Sequence, residues 1–146
     1  MAGPRLWVAN DHAAYPLKDH LLAVARSAGC QVEDLGLMPG ERGDYPDLAD
    51  RLAQRLTGDD LGLLICGSGI GISIAANRHM HLRAALVHDV TSARLAREHN
   101  AANVICMGGR FLGIQTGEDC LLAFVHGAFA GDRHTGRVAK LTPGFT

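Results

Sequence analysis

The sequence predicts an α/β protein, a parallel sheet with helices on both faces. Apolar segments of strand length alternate along the chain with segments in which apolar residues recur at helical spacing. Parallel strands need a crossover connection, and in an alternating chain the crossovers are helices that cover the sheet. The 146 residues, 47% of them hydrophobic, are enough for one core, so we expect a single domain over residues 1–146.

Five apolar runs are the predicted strands, and three segments with helical spacing lie between or after them. The strands are residues 6–9, 32–35, 61–66, 83–87 and 104–107. The helical segments carry Leu17, Leu21, Leu22 and Ala25, then Leu48, Leu52 and Leu56, then Leu121, Phe124, Val125 and Phe129. Pro16 and Pro46 stand where first helical turns should begin, and Thr91 offers an N-cap for a further helix. Residues 131–146 are basic and rich in glycine and proline, so we expect a C-terminal arm rather than a further core element.

Charge and cysteine content exclude several classes of protein. With 14 Lys and Arg against 15 Asp and Glu, the net charge of -1 gives no bulk attraction to nucleic acid or to an anionic membrane. The absence of a signal-like segment or a run of 18 apolar residues predicts a cytoplasmic protein. The four cysteines form no C-x-x-C pair, which indicates buried thiols rather than disulfides or a zinc site.

The loop after the third strand carries the clearest chemical signal. Ligands of parallel sheets bind at the carboxyl ends of the strands, and this strand ends in Cys66 followed by Gly67, Ser68, Gly69, Ile70 and Gly71. A turn of small residues exposes backbone N–H groups that can hold an oxyanion, and a thiol beside a helix start can act as a base or nucleophile. A buried thiol completing an apolar strand is the commoner role of a lone cysteine, and it also covers Cys30, Cys106 and Cys120. Ser68 is either an oxyanion donor or a turn residue.

Two of the eight histidines stand at element ends beside polar residues. His12 follows Asp11 and His99 precedes Asn100, and we expect both histidines to face one cleft, where they could move protons near neutral pH. Each alone would be a cap or a satisfied polar residue. His79 and His81 lack a third ligand at metal spacing and are expected on the surface.

Taken together, these motifs closely resemble the ribose-5-phosphate isomerase B family, which also contains galactose-6-phosphate isomerase subunits and other aldose–ketose phosphate isomerases. The matching segments run in order along nearly the whole chain: 11–13, 17–18, 44–47, 66–77, 83–85, 98–104, 133–134 and 137–138. The resemblance implies a five-stranded, Rossmann-like, three-layer α/β/α sandwich. It also implies a homodimer or dimer of dimers with shared sites, a sugar phosphate as substrate, and no metal or cofactor.

The resemblance further implies roles for individual residues. Cys66 is the base that moves a proton between C1 and C2 through a cis-enediolate, and His99 protonates the ring oxygen as the furanose opens, with Asp11 nearby. The amides of 67–71 and Ser68 hold the enediolate oxygen, Asn100 binds a sugar hydroxyl and Tyr45 lines the pocket. The candidates for sugar and phosphate binding are His12, Arg110, Arg133, His134 and Arg137, the last three from the partner chain.

Some positions depart from the family pattern. Ser68 stands where members with a cysteine base usually have Thr, which keeps the hydroxyl. Ile72 stands where members with a glutamate base carry that acid, so the base here would be the thiol. Ala14, Pro16 and Asp132 replace a usual Gly, acidic residue and Gly near the site, which leaves the substrate open between ribose 5-phosphate, a galactose or allose 6-phosphate and a tetrose phosphate.

Parts of the sequence are also compatible with two other classes of function. A dinucleotide-binding module would use Gly67 and Gly69 after a strand and Asp89 twenty residues further, but Ile72 occupies the place of the third glycine. A non-catalytic sugar-phosphate sensor would need the arginines but neither proton carrier, so the presence of both Cys66 and His99 argues against it.

Overall fold

A computed structural model describes residues 3–146 of the chain. It contains five strands: β1 Arg5–Asn10, β2 Gln31–Asp34, β3 Leu61–Cys66, β4 Ala84–Leu86 and β5 Val104–Gly108. All pair in parallel, in the order β2-β1-β3-β5-β4. The predicted parallel sheet of five strands is therefore confirmed, with strand boundaries shifted by no more than a few residues.

Helices cover both faces of this sheet. They are α1 Leu17–Ser27, α2 Tyr45–Ala53, α3 Ile70–Ala76, α4 Val90–Asn100, α5 Ile114–His126 and α6 Thr135–Leu141, with a 3₁₀ turn at Asp132–His134. The apolar sides of α1, α4 and α5 pack on one face of the sheet, and those of α2 and α3 pack on the other. The α/β/α sandwich is confirmed. Within residues 3–146, no helix has both the length and the apolar character needed to cross a membrane.

The position of each strand in the sheet, central or at an edge, matches how completely its side chains are buried. Every residue of β3 and β5 is buried, as expected of central strands covered by helices on both sides. The edge strand β2 is mostly exposed and carries Glu33 and Asp34, and the other edge strand, β4, has three residues. Charged or very short edge strands resist pairing with another sheet. Cys66 thus stands at the end of a central strand.

Two local expectations are wrong. The N-cap of α4 is Asp89, not Thr91, because the Asp89 carboxylate accepts a hydrogen bond from the Ser92 N–H at 2.7 Å. The α5 helix ends at His126, and Phe129 lies beyond it with its ring edge-on to Phe145 at 5.6 Å. The C-terminal arm contains the 3₁₀ turn and α6, and α6 is anchored by the buried Val138.

Candidate active site

The site predicted around Cys66 lies at the carboxyl edge of the sheet, where β1, β3 and β5 end side by side. The chain continues from β1 to β2 on one side of this strand pair and from β3 to β4 and β5 on the other side. The carboxyl ends of β1 and β3 therefore form a crevice of the kind that binds ligands in such sheets. The Asp11 N–H donates to Ile65 O at 3.1 Å, and the Gly109 N–H donates to Cys66 O at 2.8 Å. The loops after the three strands are therefore held against one another.

The Cys66 thiol has a hydrogen-bond donor aimed at it. The Gly69 N–H donates to Cys66 Sγ at 3.2 Å, and the cysteine is only 4% exposed. This contact depends on the left-handed backbone of Gly69 (φ 78°), a conformation that glycine adopts without steric cost. An N–H group can donate to sulfur, a weak acceptor, so the turn fixes the position of the thiol at the crevice.

The other three thiols have no such arrangement. Cys30, Cys106 and Cys120 are buried, as predicted. Burial raises the pKa of Cys30, burial and then the neighbouring Cys66 raise the pKa of Cys106, and burial followed by Asp89 and Asp119 raises the pKa of Cys120 to about 11. These thiols stay protonated at neutral pH, so they are unsuited to act as the base.

The rest of the loop combines turn formation with free donors. Ser68 Oγ accepts a hydrogen bond from the Ile70 N–H at 3.1 Å, so Ser68 is a turn residue whose hydroxyl proton remains available to an incoming oxygen. The N–H groups of Gly71 and Ile72 lie in the first turn of α3, where helical N–H groups lack intrahelical acceptors. The loop therefore offers several donors close to the thiol.

Two side chains flank this loop. A Cβ on Gly67 would lie 3.3 Å from Arg110 Nη1, and a Cβ on Gly71 would lie 2.6 Å from the Tyr45 ring. Arg110 and His12 are exposed, whereas Asp11 is buried and its Oδ1 accepts from the Ala13 N–H at 2.9 Å. The structure thus places ten predicted site residues at the carboxyl edge, namely Cys66 and nine predicted binding residues. We call this group the thiol half-site: Asp11, His12, Tyr45, Cys66, Gly67, Ser68, Gly69, Ile70, Gly71 and Arg110.

His99 and Asn100 lie at the other edge of the sheet. They end α4, which precedes β5, and the first residue of β5, Val104, pairs with Gly62 near the start of β3. Cys66 lies four residues further along β3, about 13 Å away at the usual strand rise of about 3.3 Å per residue. The expectation that His12 and His99 face one cleft is therefore wrong within one chain, because a helix that leads into a parallel strand ends at the amino edge.

The C-terminal arm joins His99 at this amino edge. The Ala130 N–H donates to Glu98 O at 2.9 Å, and the His134 ring stacks on the His99 ring with centroids 4.3 Å apart and planes 16° apart. The pKa of His134 is lowered, first by burial and then by repulsion from His99, Arg133 and Arg137. Five predicted site residues thus form a second group, the histidine half-site: His99, Asn100, Arg133, His134 and Arg137.

Sequence reasoning missed the residue that fastens this arm. Arg83 donates to Ala101 O at 2.8 Å and to Thr142 Oγ1 at 3.0 Å, and its guanidinium lies 5.0 Å from the centre of the Phe145 ring. It ties the end of α4 to the C-terminal segment, beside a cavity of about 630 Å³. The match of segment 83–85 to the family pattern was a signal for this residue, but its partners are far apart in sequence.

Neither a dinucleotide nor a metal finds support in the geometry. The Asp89 carboxylate that would bind a ribose is engaged as the α4 N-cap, and the glycine loop follows β3 rather than β1.

Across residues 3–146, no three His, Cys, Asp or Glu side chains are grouped so that they could hold a metal ion. His79 and His81 instead contact Asp50 and Ala53 O, each at less than 3 Å.

Known proteins match both the sequence and the fold. Residues 6–141 match the family model described as Ribose/Galactose Isomerase. Ribose-5-phosphate isomerase B of Escherichia coli K12 is 37% identical over 134 residues, which cover 90% of each chain. The structure of ribose 5-phosphate isomerase B from Anaplasma phagocytophilum is 44% identical with a TM-score of 0.91, covering 97% of this chain and 98% of that one. The corresponding Thermotoga maritima structure is 39% identical with a TM-score of 0.89, covering 94% and 97%.

With the thiol loop at the crevice of the sheet, these similarities define the class of protein as an aldose–ketose isomerase. The chain belongs to the ribose/galactose isomerase family.

Proposed function

We propose that this sugar-phosphate isomerase interconverts ribose 5-phosphate and ribulose 5-phosphate through a cis-enediolate, with Cys66 as the base. The observation that carries the proposal is the Cys66 thiol at the carboxyl edge, with the Gly69 N–H 3.2 Å from its sulfur. The names of the relatives support ribose 5-phosphate as the substrate. A single domain spanning 1–146, with 131–146 as its C-terminal arm, carries the activity.

The proton transfer uses the thiol half-site. The Cys66 thiolate takes the proton from C2 of the open aldose, and the electron pair of that C–H bond forms the C1–C2 double bond while the carbonyl electrons move to O1. The amides of residues 67–71 and the Ser68 hydroxyl stabilise this oxyanion. A proton then passes from O2 to O1 of the enediolate, and the thiol returns its own proton to C1 as the C2–O2 carbonyl forms, which yields the ketose without any net change in redox state.

Ring opening uses the histidine half-site. His99 donates a proton to the ring oxygen as the C1–O4 bond breaks, and the O1 hydroxyl releases its proton to water as the C1–O1 carbonyl forms. Asn100 binds a sugar hydroxyl. Arg133 and Arg137 are exposed and carry the planar donor groups that suit a phosphate, with His134 beside them. Among the aromatic contacts of residues 3–146, only the His134 ring covers a face of the His99 ring. Within the same residues, the ring nitrogens of His99 form no hydrogen bond that the substrate would have to displace.

The distance between the two half-sites supports an assembly of two chains. A pentose phosphate cannot bridge the length of β3 and contact the two edges of one sheet at once. We propose a homodimer, or a dimer of such dimers, in which the thiol half-site of one protomer meets the histidine half-site of its partner. A two-fold axis then forms two identical sites. This changes the expectation from sequence, because His99 and Asn100 join the arm residues as contributions to the partner's site.

A substrate panel tests the proposed reaction. We expect the highest kcat/KM for ribose 5-phosphate and ribulose 5-phosphate among four-, five- and six-carbon aldose and ketose phosphates. One extra hydroxymethylene changes the length of the phosphate-to-carbonyl span, which is worth only a few kcal/mol, so other substrates should be slower rather than inert. A higher kcat/KM for allose or galactose 6-phosphate or for a tetrose phosphate would assign that sugar instead. No turnover of any of them would leave a binding protein.

The role of His99 can be separated from that of Cys66. We expect His99→Asn to lower kcat/KM for ribose 5-phosphate by about 100-fold, the usual scale of general acid catalysis. The same variant should turn over a tetrose 4-phosphate nearly normally, since its C4 oxygen carries the phosphate and it forms no furanose ring. Steady-state kinetics on both substrates are the measurement. Equal losses on the two would place His99 in the enediolate step instead.

A further inference from the structure

A buried lysine lies beside the segment that leads from β2 to Tyr45 of the thiol half-site, and the mechanism above does not use it. Lys18 on α1 is only 2% exposed, and its Nζ lies 3.0 Å from Asp34 Oδ2 at the end of β2. Taking an ammonium group out of water costs several kcal/mol, and pairing it with a carboxylate often does no more than offset that cost. A hydrophobic side chain would fill this position at lower cost. The other contacts of Lys18 indicate what its charge does.

The ammonium group shares one carbonyl with two further donors. Leu37 O accepts from Lys18 Nζ at 3.3 Å, from Asn10 Nδ2 at 3.4 Å and from the Tyr15 hydroxyl. The Leu37 N–H in turn donates to Asn10 O at 3.3 Å. Both backbone groups of Leu37 are therefore bound, and they attach the segment between β2 and α2 to the end of β1.

We call the contact between the end of β1 and the segment from β2 to α2 the junction. On both sides of the junction, the chain continues into the thiol half-site. Asn10 Nδ2 also donates to Asp11 O at 2.9 Å, so the same amide holds the residue that enters the thiol half-site. On the other side, the segment that begins at Leu37 leads to Tyr45, whose ring lies against Gly71. A displacement of Leu37 would therefore reach Asp11 and Tyr45 together.

The junction is closely packed around this contact. A Cβ on Gly36 would lie 1.6 Å from Asn10 Oδ1 and 2.9 Å from Lys18 Nζ, so only glycine lets the backbone close over these groups. Asn10 itself is fully buried. The charge is thus enclosed between β1, α1 and the segment after β2, with little space for another arrangement.

We propose that Lys18 is a positioning residue for the isomerase reaction: by holding the Leu37 carbonyl, it fixes Asp11 and Tyr45 against the 67–71 loop and so sets the affinity for the sugar phosphate. The inference rests on the proposed function. Lys18 touches no substrate. A purely structural lysine would change the free energy of unfolding without changing substrate binding.

The test compares two variants that both break the ion pair. Lys18→Met removes the ammonium group but keeps an unbranched apolar stem, and we expect KM to rise about tenfold with kcat within about threefold of wild type. Asp34→Asn is the matched control, because it removes the charged partner while Lys18 Nζ can still donate to Leu37 O. We expect its KM to stay within about twofold of wild type. Thermal unfolding of both variants measures what each loses in stability.

A second readout does not depend on turnover. Iodoacetamide modification of Cys66, followed by peptide mass spectrometry, gives the ribose 5-phosphate concentration that halves the rate of modification. We expect this concentration to rise about tenfold in Lys18→Met and to stay near wild type in Asp34→Asn. If Lys18→Met does not fold, Tyr15→Phe removes another donor from the Leu37 carbonyl, and we expect about a threefold rise in KM and in the protecting concentration.

The outcomes separate this inference from the proposed function. Wild-type turnover combined with an unchanged KM in Lys18→Met, or with equal KM increases in Lys18→Met and Asp34→Asn, overturns the role of Lys18 alone. For a Lys18→Met variant that fails to fold, an unchanged KM in Tyr15→Phe overturns it. Absence of wild-type turnover on every sugar phosphate overturns the proposed function, and the role of Lys18 with it.

Discussion

Cys66→Ser is expected to lower kcat by at least about 100-fold, because a general base is typically worth 10² to 10⁴ in rate and a serine hydroxyl is far too weakly acidic to replace a thiol. Folding and KM should change little, since the substitution exchanges one small side chain for another at the end of β3. Steady-state kinetics and thermal unfolding are the measurements. Cys30→Ser is the matched control, because Cys30 is also buried but lies immediately before β2, outside both half-sites.

Chemical modification gives an independent check on the same thiol. Iodoacetamide should inactivate the wild-type enzyme in step with labelling of Cys66, and ribose 5-phosphate should slow both. A Cys66→Ser variant that retains more than about a tenth of the wild-type kcat would refute the assignment of Cys66 as the base. Inactivation without labelling at Cys66 would also contradict it.

Two inactive variants, Cys66→Ala and His99→Asn, should restore activity when they are unfolded together and reassembled. If each site combines the thiol half-site of one protomer with the histidine half-site of its partner, a mixed dimer has one doubly altered site and one intact site. Random assembly makes about half of the dimers mixed, so about a quarter of the wild-type activity should return. Arg137→Ala should complement Cys66→Ala in the same way, because Arg137 belongs to the histidine half-site.

Each parent refolded alone is the control for this experiment, and mass spectrometry of the intact assembly measures the fraction of mixed dimers. If His99 served the Cys66 of its own chain, every site in every dimer would carry one alteration. Activity no higher than the average of the two parents, with mixed dimers present, would then exclude the shared site.

The fold and the thiol loop could be predicted because their signals are local. The run from Leu61 to Cys66 is apolar at every position, and a parallel strand covered on both faces requires this. The glycines that follow predict a turn in which N–H groups point inward, and the Gly69 N–H contact with Cys66 Sγ is such a case. Chain order alone also places residues that follow a strand at the carboxyl edge.

One local prediction, the Thr91 N-cap, was wrong because the Asp89 carboxylate two residues earlier caps the helix. Contacts between residues far apart in sequence could not be predicted in this way. Nothing in the spacing of Lys18 shows that its ammonium group is buried, since that depends on Asp34 and Leu37 closing over it. The stacking of His134 on His99 likewise depends on the path of the arm after α5.

The sequence by itself determined the layered α/β fold and the identity of the residues with chemistry, because hydrophobic periodicity and turn composition act over a few residues. Only the tertiary structure decided how these residues are divided between the carboxyl edge and the amino edge of the sheet. A helix that connects two parallel strands runs from the carboxyl edge back to the amino edge, so His99 at the end of α4 lies a strand length from Cys66 at the end of β3. That separation is a property of the assembled sheet, and it is the physical reason for a site shared between two chains.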